Sequence, residues 1–255
     1  DVSRKFSTRC PFEFAGGQAD VKAIQRSVDR LTAQHSKKIV VVPLYTTSNS
    51  EIMDQTRYLF GIREDPSVEF FQAGNSRGGY NVIRRVQTKV PVVLTQALDD
   101  HPLVVDILAS RALALSRRAA DEAVVLVGIA PSTGTAASEY RQTLNALAER
   151  VRALGGFKAA QAAVLEPSAR RQSVREGRER EFYNIVHTLS RSGHVLVVPH
   201  VLSGGAISRP ALRALKGTFM RYQEKGLIPD ERIVRWIEQA VAAGARLPGM
   251  KVYKD

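Results

Sequence analysis

The chain has 255 residues, an apolar fraction of 44% and a charged fraction of 24%, ordinary for a globular protein and enough for one large core or two smaller ones. One cysteine, Cys10, excludes an internal disulfide framework and a thiolate metal cluster, and no apolar run reaches the ~18 residues of a membrane span. The net charge of +12 and pI near 10.1 point to nucleic acid, an acidic small molecule or an anionic surface as partner. An aromatic fraction of 7%, with no helix-turn-helix, RRM or zinc-finger signature, argues against nucleic acid.

In chain order, residues 12–15 read as a short strand before a Gly16-Gly17 loop. Val21, Ile24, Val28 and Leu31 fall at helical spacing and predict an amphipathic helix ending near His35. Residues 38–44 hold the unbroken β-branched run Ile39, Val40, Val41, Val42. That is the pattern of a strand buried on both faces of a parallel sheet, and Pro43 ends its ladder. A polar segment, 46–51, leads into a helix over 52–60 that stops at Gly61. Residues 63–80 read as loop, with the glycine-rich part 74–80 mobile. A strand over 90–94 follows, then a helix over 102–116 with Asp99 and Asp100 at its positive end. Residues 117–121 read as a connector.

The second half opens on a strong strand, 123–128, and a Pro-Ser-Thr-Gly-Thr loop at 131–135. Tyr140, Leu144, Leu147, Val151 and Leu154 define a helix closed by Gly155-Gly156. Strands over 157–165 and 195–201 flank a helix over 169–192. Its arginines alternate with glutamates at helical spacing, the pattern of a solvated face with internal ion pairs. A short helix at 210–215, a strand at 218–222 and a last helix at 229–243 complete the chain.

Residues 38–43 (KIVVVP) align without gaps on 194–199 (HVLVVP), and the apolar positions of 98–107 match those of 227–236. The chain is therefore expected to be α/β, with two Rossmann-like parallel-sheet subdomains related by an internal repeat, residues 1–118 and 119–255. The second half has four strand–helix pairs and the first only three. The first half lacks a counterpart of the strand at 124–128 and the helix after it. Because residue 1 is Asp rather than Met, a strand or a leader upstream stays open. The cytoplasm is the expected compartment, with the periplasm as the alternative.

The two "VVP" strands, the paired "VLVG" strand at 125–128 and the "PVVLT…LDDHP" run at 91–102 resemble the class II tetrapyrrole chelatases. Within that family they are most similar to the sirohydrochlorin cobaltochelatase-like branch of cobalamin biosynthesis. The resemblance implies a cleft between two Rossmann-like halves that holds an anionic, metal-free tetrapyrrole. It also implies histidines and a glutamate at strand ends that hold a divalent metal substrate, Co²⁺ with Ni²⁺ or Fe²⁺ as alternatives, and accept pyrrole protons. This chain departs from the pattern. Ile129 stands in the family's Gly-His-Gly slot, Ala206 or Ile207 in its late histidine slot, and Asn49 in the middle of Ser-His-Ser-Glu. Glu51 is kept. A degenerate chelatase-like module that binds metal, tetrapyrrole or a protein partner, or a homo-oligomer, is the competing expectation.

The metal and proton candidates are Glu51 and His200, each with a plainer reading. Glu51 can be an exposed acid at a helix N-terminus, and His200 a satisfied structural histidine. Tyr45, Ser48 and Asn49 lie in the loop after the first "VVP" strand, where open α/β sheets bind ligands. Ser132 precedes a helix and can receive an anionic side chain or act as an ordinary cap. Ser203, Gly204 and Gly205 form either an anion-cradling nest or a tight turn. His101 reads as a cap, and His35, His187 and His194 as surface residues.

Overall fold

The computed structural model describes residues 10–72, 84–132, 134–167 and 169–250. The glycine-rich part 74–80, expected to be mobile, lies outside them. The chain forms two units, one of Asp1–Leu44, Ser50–Ala97 and Val234–Asp255, the other of Tyr45–Asn49 and Leu98–Ile233. They do not follow the sequence division at 118/119.

In the first unit, α1 (Val21–Ala33) starts where the Asp20 carboxylate accepts from the N–H groups of Lys22 and Ala23 at 2.9 and 3.1 Å. β1 (Ile39–Val41) and β2 (Val92–Leu94) pair in parallel, Ile39 opposite Val92 and Val41 opposite Leu94. α2 (Glu51–Leu59) is capped by Ser50 and buries Met53, Tyr58 and Leu59. The segment read as loop from 63 contains α3 (Val68–Gln72). Buried Ser67 caps α3, its Oγ accepting from Phe70 N, while its own N–H donates to Gln55 Oε1. The core joins Val28, Ile39, Tyr58, Leu59, Phe70 and Val92.

Two sequence expectations fail in this unit. Residues 12–15 form no strand, and Phe14 is 71% exposed. An apolar pair with no neighbouring strand to join gains nothing by extending. β1 is three residues long, with Val40 and Val41 only half-buried. A β-branched run reports a preference for the pleated conformation, not the number of neighbours, and among the described residues β1 pairs with β2 alone. The first sheet therefore holds two strands, one fewer than expected.

The second unit carries α4 (Pro102–Leu113), β3 (Glu122–Ile129), α5 (Gly134–Gly155), β4 (Ala159–Leu165), α6 (Gln172–Ser190), β5 (His194–His200), α7 (Gly205–Ala214) and β6 (Met220–Tyr222). Its sheet has the order β4-β3-β5-β6, all parallel. One face presents Val125, Val127, Val195 and Val197 to Phe182 and Val186 of α6 and to Ile207 and Ala211 of α7. The alternate residues face the other way, towards α4 and α5, which pack on β3, β4 and β5. Both faces are covered, as the continuous apolar runs require. α7 starts five residues before Pro210, at Gly205, with Pro210 inside the helix. Proline's preference for a first turn made it look like the start.

The repeat is visible in the backbone. Thr95 N–H bonds to Val41 O at 3.0 Å and Gln223 N–H to Val197 O at 2.9 Å; Leu98 N–H bonds to Tyr45 O at 3.0 Å and Leu227 N–H to Val201 O at 2.8 Å. In each pair the acceptor holds the same place in or after the "VVP" strand of its half, and the donor lies just after β2 in one half and β6 in the other. The final helices change sides. α4, from the first half of the sequence, packs in the second unit. α8 (Glu231–Arg246), from the second half, belongs to the first unit from Val234 on. There Gly244 lies against Val40, Val93 and Thr95, and Lys38 Nζ donates to the carbonyls of Ala245 and Leu247 at 2.8 Å.

Candidate functional site

In the second sheet the chain moves from β3 outward to β4, then back across β3 to β5. The switch point lies between β3 and β5, and ligands of open α/β sheets bind beyond the carboxyl ends at such a point. Gly128 and His200 face each other there in register.

His200 is 1% exposed. Its Nδ1 lies 2.8 Å from the hydroxyl of Tyr140, which projects from α5 and also reaches the His200 carbonyl oxygen at 3.3 Å. The two rings stack with centroids 5.8 Å apart. Thr46, from the loop after β1, bonds to the same Tyr140 hydroxyl. Gly128 makes room for this group, because a Cβ there would sit 2.2 Å from the tyrosine oxygen. Among the described residues, no group comes within hydrogen-bonding reach of His200 Nε2. Burial pushes the His200 pKa down to about 4, so the ring is neutral at pH 7. Burial raises the Tyr140 pKa, opposed only in part by the bond from Thr46.

The other expected residues are placed as follows. Ser48 is clamped by Asp99: its N–H and Oγ donate to the two carboxylate oxygens at 2.6 Å each. Asp99 reaches this position with a φ of 45°. Exposed Asn49 has its N–H on Thr47 Oγ1 at 3.1 Å. Tyr45, Ser48 and Asn49 belong to the second unit, with His200. Glu51 belongs to the first, as the half-buried opening residue of α2. Gly204 is held against backbone: a Cβ would meet the Glu224 carbonyl oxygen at 1.7 Å, and one at Gly226 would meet Leu202 O at 2.5 Å. These glycines let the loops after β5 and β6 pass in contact. Ser203 and Gly205 are exposed beside them. His101 caps α4, its Nδ1 accepting from Leu103 N at 3.2 Å, as its sequence position implies. Ile129 is half-buried and packs on the core.

Ser132 borders a cavity of about 490 Å³ between the carboxyl ends of β3 and β4 and the starts of α5 and α6. Its charged walls include Arg141, Arg178 and Glu166. Arg178 bonds Glu166 at 2.8 Å and Glu181 at 3.1 Å, and Arg141 bonds Glu181 at 2.9 Å. These guanidiniums are already matched by carboxylates. Among the described residues, no group of three His, Cys, Asp or Glu side chains is arranged to hold a metal ion, and no helix is long and apolar enough to cross a membrane.

Sequence reasoning missed two residues of the His200 group and one buried acid at the opposite end of the sheet. Tyr140 and Thr46 looked like a core position and a polar loop residue. Glu122 looked like the edge of a connector, yet it is 1% exposed and takes hydrogen bonds from Ser116 Oγ, Arg117 N–H and Arg221. Burial alone would raise its carboxyl, but these donors outweigh burial and hold it below the usual range. An acid heading an apolar strand was the available signal, since such a residue is rarely buried unless paired.

No family model and no curated protein matches the chain. Solved structures do. SirB from Bacillus subtilis, determined with Fe³⁺, superposes with a TM-score of 0.55 over 89% of this chain and 81% of its own, at 13% identity. DR2241 from Deinococcus radiodurans, a multi-domain protein described as structurally similar to chelatases with two further domains, gives 0.50 over 85% of this chain at 16% identity. The present chain spans 44% of that protein's length. At these identities the likeness is one of fold: an α/β chelatase-like fold with an internal repeat. It does not single out the cobalt branch.

Proposed function

We propose that this protein inserts a divalent metal ion, with Co²⁺ first and Ni²⁺ or Fe²⁺ as alternatives, into an anionic, sirohydrochlorin-type tetrapyrrole. The observation that carries the proposal is the neutral imidazole of His200 at the switch point of a chelatase-like sheet, with no group on Nε2 among the described residues. Insertion exchanges the metal ion for two pyrrole N–H protons, so it needs an acceptor for those protons and a group that steadies the metal. A neutral imidazole nitrogen can do either. The macrocycle brings its own nitrogen donors, so a complete protein cage for the metal is not required. The charge of +12 suits a substrate edged with carboxylates. Tyr45, Ser48, Asn49, Ser132 and the Ser203–Gly205 turn would meet its polar edge, and Glu51 is the second candidate for proton or metal. Burial of the His200 ring sets an access condition: Nε2 must become exposed when the substrate binds.

A second function, a module that binds the macrocycle without turnover, is favoured by Ile129 in the histidine slot and by the missing three-residue metal group among the described residues. Visible absorbance with sirohydrochlorin and Co²⁺ separates the two. Wild type should raise insertion above the uncatalysed background, and His200→Ala should lose about a hundredfold or more of that rate, the scale of a lost general base. A spectral shift on binding with no turnover would establish the module instead.

A further inference from the structure

We infer that Tyr140, seated by Thr46, is a positioning residue that holds His200 in the Nδ1–H tautomer and so presents Nε2 as a bare lone pair. The inference deepens the proposed function and rests on it for its catalytic meaning, but the tautomer itself can be observed without any turnover.

Hydrogen-bond counting carries the inference. The Tyr140 hydroxyl has one proton to give and two lone pairs to receive with. Three groups surround it: His200 Nδ1 at 2.8 Å, the His200 carbonyl oxygen at 3.3 Å, and the Thr46 hydroxyl. The carbonyl can only accept. If Tyr140 donates to it, the two lone pairs receive the proton of Nδ1–H and that of Thr46. Every polar atom around the tyrosine oxygen is then used, and Nε2 carries no proton. If Tyr140 instead donates to Nδ1, the carbonyl loses this donor, and the imidazole proton moves to Nε2. There it becomes a buried donor with no acceptor in reach. The second arrangement makes fewer bonds and leaves a donor orphaned, which folded proteins tolerate less than an orphaned acceptor. Gly128 is part of the device, since any side chain there would take the space of the tyrosine oxygen.

The consequence is chemical. A nitrogen that must receive a pyrrole proton, or bind a divalent cation, needs its lone pair free. A histidine whose other nitrogen is held as a donor has that lone pair fixed at Nε2. Phenylalanine at 140 keeps the ring packing but removes the hydroxyl that lies 2.8 Å from Nδ1.

The experiment is a long-range proton–nitrogen correlation spectrum of the full chain labelled with ¹⁵N-histidine. The chain has five histidines, and the His200 signals are identified by their loss in His200→Gln. The expected wild-type spectrum shows a protonated Nδ1 and an unprotonated Nε2. In Tyr140→Phe the proton should shift wholly or partly to Nε2, with metal-insertion kcat reduced at least tenfold and KM little changed. A wild-type spectrum with the proton on Nε2 overturns the inference, and so does an unchanged tautomer in Tyr140→Phe. The wild-type spectrum decides even if that variant fails to fold. If the tautomer is as expected but no insertion occurs, the proposed function fails and the positioning role stands.

Discussion

At the scale of residues, two buried ionisable groups set how the protein responds to acid. His200 has its folded pKa pushed to about 4 by burial, against about 6.5 when unfolded. Between those values the unfolded chain binds the extra proton, so stability is full above about pH 6.5 and falls as the pH drops towards 4. The gap corresponds to roughly 3 kcal/mol. Urea denaturation from pH 7 to 4 should show this loss in wild type and a flatter profile in His200→Gln; parallel profiles would contradict it. Glu122 acts in the same direction lower down. Its carboxyl is held below the usual range despite burial, by Ser116, Arg117 and Arg221. Its contribution is present above about pH 4.3 and is lost as the pH falls through the depressed folded value. Arg221→Met should lower stability at pH 7 by about 3 kcal/mol, because it leaves a buried carboxylate short of its cation. An unchanged melting temperature would show that the pair contributes nothing. Gly128→Ala should destabilise by about 1–3 kcal/mol through the clash with Tyr140. Combined with Tyr140→Phe it should cost less than the two changes summed, because the clashing oxygen is gone. The pairing of Tyr140 with His200 could not be read from the sequence. Tyr140 and His200 are 60 positions apart, and only the parallel register of β3 and β5 brings Gly128, and the tyrosine above it, to the histidine.

At the scale of elements, the sequence was most legible where a pattern was long and the element was covered on both sides. β3, β5, α5 and α6 fell where their apolar periodicity placed them, with ends displaced by a few residues. It was least legible in short elements set by tertiary partners. α3 exists because Ser67 and Gln55 satisfy its first turn, and β1 is curtailed because it pairs with β2 alone among the described residues. The repeat was readable as two copies of "VVP", but the exchange of the last helices was not. Nothing in α8 alone says that Gly244 will rest on Val40. That glycine is the local marker of the arrangement. A Cβ at 244 would come within 2.7 Å of the Val40 side chain, so Gly244→Val should destabilise by about 1–3 kcal/mol even though glycine is a poor helix former. Chemical denaturation of the variant checks this, and a gain in stability would mean that α8 does not rest on the first sheet.

At the scale of the whole molecule, a chelatase-like fold and a net charge of +12 are the two properties from which the proposed function starts. Legibility at this scale was uneven. The order of "VVP" and "VLVG" strands announced the fold, which the superposition with SirB bears out. His200 was a candidate from its place at a strand end, but its partner Tyr140 and its Nε2, unengaged among the described residues, emerged only from three dimensions. Glu51 opens α2 in the other unit, where the sequence alone could not place it. The most direct measurement of the central claim is the initial rate at which the wild-type protein converts metal-free sirohydrochlorin to its Co²⁺ complex, followed by absorbance against a protein-free control at pH 7. The account predicts a rate that rises in proportion to protein concentration and exceeds the control. A rate equal to the control at every protein concentration, with folded protein present, would contradict it.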